Sequence, residues 1–366
     1  METIRDRIRG SLVGGAAGDA LGYSVEFFSE KQIFDKYGEN GIVEYELDSQ
    51  SNCALISDDT QMSLFTANAL LFGRYRQKER GISGNPRSYA LYAYLGWLQT
   101  QEVLCYSEEN KLGEDWCGWT SYMLKDIPEL YARRAPGITC LNALKTRRNQ
   151  VENNEHIWDF VASKINDSKG CGGIMRVAPL GMSMNALNIE RLDEEGAQLA
   201  AITHSHSLGY MPAAVLTHIV NRIIYSVDTV DLKSVVEEAR DTVAKIYKDD
   251  PHIGELTDII DRTISLSENN GSDIDNIHKL GEGWVAEETL AIAIYCCLRH
   301  KDSFADALVA SVNHKGDSDS TGAVTGNIIG AITGYEAIDS KWKNNLELHD
   351  LILKIADAIY TEFNLS

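Results

Sequence analysis

The sequence predicts an all-α fold, and three observations support this class. Apolar residues recur at helical spacing from one end of the 366-residue chain to the other, as along 235–247 and 348–363. Sustained alternation of apolar and polar residues, which would indicate strands, is nearly absent. Prolines number only 6 and hydrophobic residues make up 44% of the chain, so long helices around a large core are expected.

The same periodicity places further helices in order along the chain. The stretches with this pattern are 58–73, 86–101, 191–203, 209–226, 286–300, 303–313 and 320–335. No proline-rich, serine-rich or low-complexity linker divides them, so we predict a single domain over residues 1–366.

Charge and cysteine content narrow the functional classes. The 34 basic and 54 acidic residues give a formal net charge of −20, which disfavours nucleic acid and anionic membranes as partners. Seven cysteines without Cys-x-x-Cys spacing argue against a disulfide framework or a structural zinc site and favour the cytoplasm. The apolar run after Arg9 is interrupted by Asp19 and too short for a signal peptide, and no segment approaches the ~18 apolar residues of a membrane span.

Two short acidic clusters, 57–60 and 317–320, are the most informative feature of the chain. Each alone is typical of a helix start, with Ser57 as an N-cap and aspartates beside the positive end of the helix dipole. Together, their carboxylates and hydroxyls are the donors that Mg²⁺ and Mn²⁺ prefer. If the clusters meet, two carboxylates about 4 Å apart repel by roughly 4 kcal/mol at an effective dielectric constant of about 20, which cations would offset.

Glycines concentrate in three segments, 10–22, 170–173 and 326–330. In all three, close helix packing and close approach to a ligand are equally good explanations. The turn at 170–173 is expected to precede an apolar helix, and its successive N–H groups are candidates for a phosphate-binding nest. His204 and His206 would point to different faces of a helix, which makes them a poor zinc pair and favours packing or capping roles.

Five motifs, taken in this order, resemble the ADP-ribosylglycohydrolases. They are Gly18-Asp-Ala-Leu-Gly-x-x-x-Glu26, Ser57-Asp-Asp-Thr-Gln61, Lys169-Gly-Cys-Gly-Gly-Ile-Met-Arg-Val-Ala-Pro179, Thr203-His-Ser-His206 and Gly316-Asp-Ser-Asp-Ser-Thr-Gly322. The resemblance spans about residues 5 to 335. It implies an orthogonal helical bundle with two Mg²⁺ or Mn²⁺ ions in a cleft that takes ADP-ribose.

The resemblance also assigns residues to this site. The implied metal ligands are Ser57, Asp58, Asp59, Asp317, Asp319 and Ser320. The implied ADP-ribose contacts are Gly170, Cys171, Gly172, Gly173, His204 and His206. Asp58 and Asp59 would also activate the attacking water, and Glu26 would polarise or position it. Trp284 is expected to be buried at a helix start, the alternative being a stack on adenine.

The resulting prediction is a metal-dependent hydrolase that cleaves the glycosidic bond between ADP-ribose and a protein side chain. Serines at positions 57 and 320, where many members have threonine, most resemble the arginine-specific branch. Serine-linked or O-acetyl ADP-ribose is an alternative substrate, and immunity against an ADP-ribosyltransferase toxin, by hydrolysis or occlusion, is an alternative role. An isoprenoid synthase is disfavoured because Met62 replaces the last carboxylate of Asp-Asp-x-x-Asp. A non-enzymatic binding protein would be expected to have lost the metal carboxylates.

Overall fold

The structure is a computed structural model that describes residues 2–103, 105–113, 118, 120–121, 123–183 and 188–364. Within these ranges the regular secondary structure is helical, and β-type pairing is limited to two isolated bridges, Ala54 with Leu346 and Gly170 with Val285. The all-α prediction is therefore confirmed.

The described residues form fifteen α-helices, and the longest segments between them are 38–57, 103–137 and 153–177. The helices are α1 (Glu2–Tyr23), α2 (Glu30–Tyr37), α3 (Asp58–Arg80), α4 (Pro86–Glu102), α5 (Ile138–Glu152), α6 (Ala178–Met182), α7 (Ile189–Ala201), α8 (Ser207–Tyr225), α9 (Leu232–Ile246), α10 (Ile253–Ser267), α11 (Asp273–Ile277), α12 (Ala286–Arg299), α13 (Phe304–Val312), α14 (Ser318–Thr333) and α15 (His349–Asn364). Every stretch that the periodicity predicted coincides with one of them. None of these helices is both long and apolar enough to cross a membrane. Cys117 lies outside the described residues, and the other six cysteines are free thiols.

Helices α1 and α14 pack antiparallel with their backbones in direct contact. A Cβ atom on Gly14 would lie 2.3 Å from the carbonyl oxygen of Gly326, and one on Gly18 would lie 1.9 Å from that of Gly322. Real side chains cannot occupy such positions, so these glycines serve close helix packing. As a result, the last turn of α1 lies beside the first turn of α14, where a Cβ on Gly22 would be 2.1 Å from the Ser318 carbonyl oxygen.

Asp19 joins this helix pair to α3. Its fully buried carboxylate accepts hydrogen bonds from the backbone N–H groups of Ser57, at 3.0 and 3.1 Å, and Thr60, at 3.0 Å, as well as from the Thr60 hydroxyl. These N–H groups belong to the N-terminus of α3, which has no intrahelical partners for them. Asp19 therefore fixes the start of α3 next to the C-terminal part of α1.

Candidate active site

The N-termini of α3 and α14 bring the two acidic clusters together. Each of Asp58, Asp59 and Asp319 contributes a carboxylate oxygen to a group in which all of these atoms lie within 4.8 Å of one another, and all three residues are buried. Asp58 and Asp59 open α3, whereas Asp319 lies in the first turn of α14. The sequence predicted a shared cation site only if the two clusters meet, and the structure brings them together.

Capping and convergence occur together at these helix starts. The Ser57 hydroxyl accepts a hydrogen bond from the Asp59 N–H at 3.2 Å, and Asp317 Oδ1 accepts one from the Ser320 N–H at 3.2 Å. A capping residue fixes the direction of the first turn, so it also sets where the following carboxylates point. The capping interpretation of each cluster is correct and does not compete with a shared site.

Burial and mutual repulsion shift the acidity of the cluster. Burial raises the pKa of Asp58 to about 8; the hydrogen bond from the Gly137 N–H, the second-largest effect, lowers it, and the charges of Asp19 and Asp317 raise it by less. Burial, followed by the charges of Asp317 and Asp58, raises the pKa of Glu26 to about 9. Mainly through burial, the pKa values of Asp59 and Asp319 also lie well above the ordinary value. The group retains protons unless a cation replaces them.

The donor atoms fit divalent cations. Asp59 Oδ1 and Glu26 Oε2 are buried and have no hydrogen-bond partner among the described atoms, a costly state for carboxylate oxygens. The cluster offers oxygen donors, which suits Mg²⁺ or Mn²⁺ rather than a zinc site of nitrogen and sulfur. The Cys171 thiol donates a hydrogen bond to Asp317 Oδ2 at 2.8 Å, and burial raises its pKa well above the ordinary value, so Cys171 serves as a donor to the cluster rather than as a ligand.

These raised pKa values predict that Mg²⁺ binding releases protons. At pH 7 the metal-free cluster holds protons on Asp58 and Glu26, and a bound cation favours the ionised carboxylates, so on the order of one proton should leave per protein. Calorimetric titrations in two pH 7 buffers with different ionisation enthalpies measure this number. A binding heat that does not depend on the buffer would contradict the prediction.

A cleft of about 260 Å³ opens onto the cluster. The predicted site residues that line it are Glu26, Asp58, Asp59, Gly170, Cys171, Gly172, His204, Asp317, Asp319 and Ser320. No lysine or arginine is found among the described lining residues. Any anionic ligand must therefore be held by cations, N–H groups and neutral donors.

Three predicted site residues lie elsewhere. Ser57 is fully buried and does not line the cleft, although its hydroxyl lies 3.4 Å from Asp59 Oδ2. Gly173 packs against Ala200, which a Cβ would approach to 3.0 Å. His206 caps α8 by accepting a hydrogen bond from the Leu208 N–H at 3.1 Å, and its ring centre lies 4.6 Å from that of His252. Gly173 and His206 therefore face away from the cleft, and for His206 this matches the expectation that residues two apart face different ways, whereas the metal-ligand role of Ser57 stays a prediction.

The glycine-rich turn differs from the expected nest. The Gly170 N–H donates to the Ser168 hydroxyl and the Cys171 N–H donates to the Trp284 carbonyl oxygen, both at 3.3 Å. The turn therefore does not present four successive N–H groups to a phosphate. It is a single 3₁₀ turn over Cys171–Gly173, and the helix that follows, α6, spans only five residues.

Segment 135–140 completes the cleft and was not predicted. Ala135, Gly137, Ile138, Thr139 and Cys140 all line it. Ala135 has a φ of +47°, a conformation that costs a residue with a side chain on the order of 1 kcal/mol and often occurs at functional sites. The Gly137 N–H donates to Asp58 Oδ2 at 3.2 Å. The only signal in the sequence is the Pro136-Gly137 dipeptide, which indicates a turn before a helix.

Trp284 also differs from the prediction. Its side chain is 41% exposed and lines the cleft, and its ring stacks on that of Phe27, which is 70% exposed, with centres 6.5 Å apart and planes inclined by 25°. The expectation of a buried tryptophan is wrong. The pair forms an exposed aromatic edge next to Glu26.

The fold and the cleft define a class: an all-helical protein with a buried oxygen-donor centre suited to divalent cations. The chain belongs to the ADP-ribosylglycohydrolase family, whose model matches residues 1–366. Membership confirms the resemblance of the five motifs and supports an ADP-ribosyl hydrolase activity.

Individual relatives are distant. The chain is 23% identical to ADP-ribosyl-[dinitrogen reductase] glycohydrolase of Rhodospirillum rubrum over 349 residues, which cover 94% of this chain and 92% of that protein. It is 25% identical to ADP-ribosylhydrolase ARH3 of Bos taurus over 223 residues, 54% of this chain and 59% of that one. The solved structure of an ADP-ribosylglycohydrolase-related protein complex aligns over 99% of both chains with a TM-score of 0.68 at 21% identity, which shows a shared fold.

Proposed function

We propose that this protein is a metal-dependent hydrolase that removes ADP-ribose from a protein side chain, with arginine as the modified residue. The observation that carries the proposal is the convergence of Asp58, Asp59 and Asp319 at the floor of a cleft. Family membership supports the ADP-ribosyl part of the substrate. The preference for arginine depends on the serines at positions 57 and 320.

The residues at the cleft suit cleavage at an anomeric carbon. Such a reaction passes through an oxocarbenium-like state, which nearby carboxylates stabilise. Asp58, Asp59 and Asp319, with Asp317 and Ser320 beside them, would hold the cations. Bound Mg²⁺ or Mn²⁺ ions would offset the carboxylate charge and make water more acidic. The Glu26 carboxyl, which is 7% exposed, borders the same cluster and would hold or move a proton at the attacking water.

The test compares two linkages on otherwise matched proteins. We expect Mg²⁺-dependent release of ADP-ribose from an arginine-modified protein, at least about tenfold faster than from a serine-modified one, and none in EDTA. Faster release from the serine-linked substrate would favour the alternative substrate. No release from either, by a preparation that calorimetry shows to bind Mg²⁺, would reject the hydrolase proposal.

Other parts of the functional hypothesis remain predictions from the sequence. These are the single domain, the cytoplasmic location, the role in toxin immunity, and the lack of nucleic acid and membrane partners. The choice between two Mg²⁺ and two Mn²⁺ ions belongs with them, since the donor set suits both.

A further inference from the structure

The imidazole of His204 faces the cleft through one nitrogen only. The residue is 2% exposed and contributes to the cleft wall beside the glycine-rich turn. Its Nε2 atom points toward Gly170, where a Cβ would lie 3.3 Å away. Its Nδ1 atom lies 2.9 Å from the Thr203 hydroxyl, inside the protein. The partner of Nδ1 therefore decides whether the ligand meets a donor or an acceptor.

The hydrogen bonds of the Thr203 hydroxyl settle this choice. Its oxygen accepts a hydrogen bond from Arg176 Nη2 at 2.6 Å, and a guanidinium group can only donate. The single hydroxyl proton can go to His204 Nδ1 at 2.9 Å or to the Ala200 carbonyl oxygen at 3.4 Å. The second distance is beyond the usual length for a hydroxyl donor. The hydroxyl thus donates to Nδ1, which leaves the imidazole proton on Nε2.

The charge of Arg176 acts in the same direction. Its guanidinium is fully buried over the ring of Tyr94, 4.3 Å from the ring centre, and lies just beyond Thr203. A positive charge there opposes a second proton on the imidazole. Burial, and then Arg176, lowers the pKa of His204 to about 3. The imidazole is therefore neutral at physiological pH.

We propose that Thr203 and Arg176 are positioning residues: they hold His204, which the sequence motifs already imply as an ADP-ribose contact, as a neutral donor with its proton on Nε2, beside Gly170 and Gly172. The identity of the ligand rests on the proposed function, whereas the position of the proton does not. A neutral donor of fixed direction suits this cleft, because its described lining offers no basic side chain to an anionic ligand.

Nuclear magnetic resonance tests the position of the proton directly. Long-range ¹H–¹⁵N spectra of protein labelled on its nine histidines show which ring nitrogen is protonated, and the signals missing in His204→Gln identify His204. We expect the proton on Nε2 in the wild type and in Thr203→Ser. In Thr203→Val, which keeps the shape but removes the hydroxyl, the two tautomers should both be populated. A wild-type proton on Nδ1 would overturn the proposal.

Calorimetric titration with free ADP-ribose tests the consequence for binding. We expect Thr203→Val to bind about twofold more weakly, because only about half of its molecules carry the proton on Nε2, and Thr203→Ser to bind like the wild type. His204→Gln, whose amide can place an N–H near the Nε2 position, should bind better than His204→Ala. Unchanged Mg²⁺ affinity in Thr203→Val would show that the acidic cluster is intact.

Two results would count against the binding role in different ways. Wild-type affinity in Thr203→Val would reject Thr203 as a positioning residue. A wild type that does not bind ADP-ribose would reject the ligand assignment together with the proposed function, while the spectra would still decide the position of the proton.

Discussion

Asp59→Asn is expected to remove hydrolase activity and at the same time to stabilise the metal-free protein. The substitution would delete a proposed cation ligand at the floor of the cleft, so kcat/KM with Mg²⁺ should fall by about three orders of magnitude. Without metal, however, Asp59 is a buried carboxyl with an unpaired oxygen and a pKa well above the ordinary value. Asparagine is uncharged, so its burial in the metal-free protein should cost less free energy than burial of the Asp59 carboxylate.

The size of this stability gain depends on pH. A carboxyl whose folded-state pKa is raised favours folding less as the pH rises, because the unfolded chain loses its proton first. Between pH 5 and pH 8 the gain from Asp59→Asn in EDTA should therefore grow, by on the order of 1 kcal/mol per pH unit. Thermal unfolding in EDTA at the two pH values measures this gain.

The matched control is Asp249→Asn, the same chemical change at an exposed position after α9. It should leave both activity and melting temperature unchanged. Near wild-type turnover by Asp59→Asn would show that Asp59 is not a metal ligand. A lower melting temperature at both pH values would show that its carboxylate is stabilised by contacts rather than strained by burial.

Gly326→Ala is expected to destabilise the protein although alanine is the better helix former. In an isolated helix the change would add about 1 kcal/mol of stability. Here the new Cβ would lie 1.9 Å from the Gly14 carbonyl oxygen, so α1 and α14 must separate. We expect a loss of about 3 kcal/mol, together with lower activity, because the same helix pair sets the distance between Asp19 and the first turn of α14.

Gly254→Ala provides the control for helix propensity. Gly254 lies in the first turn of α10, and a Cβ there would have no heavy atom within 4 Å. Chemical denaturation should show unchanged or slightly higher stability for this variant. If Gly326→Ala were as stable as Gly254→Ala, the two central helices would not be in backbone contact.

Periodicity predicted nine of the fifteen helices of the described residues and missed α1, α2, α5, α6, α10 and α11. Helices such as α9 and α15 bury one apolar face, so their spacing is visible in the sequence. Helix α1 contains five glycines, which lower its intrinsic helix propensity. Its stability comes from contact with α14, an interaction between segments about 300 residues apart.

The candidate site likewise combines residues that the sequence revealed with residues that only the structure revealed. The two acidic clusters were recognisable because the residue type alone shows that a side chain has a carboxylate or a hydroxyl that can bind a cation. Segment 135–140 was not, since small and apolar residues join a site only through the path of the backbone, here through the hydrogen bond from the Gly137 N–H to Asp58. Trp284 was misjudged because exposure depends on the neighbours that the fold supplies.

By itself, the sequence determined the helical class, the family and the ionisable groups available for catalysis, because these follow from local spacing and residue chemistry. Only the tertiary structure decided which groups meet. The contact of α1 with α14, and the hydrogen bonds of Asp19 to the start of α3, place Asp58 and Asp59 next to Asp319. Such proximity is a property of helix packing, and no spacing along the chain encodes it.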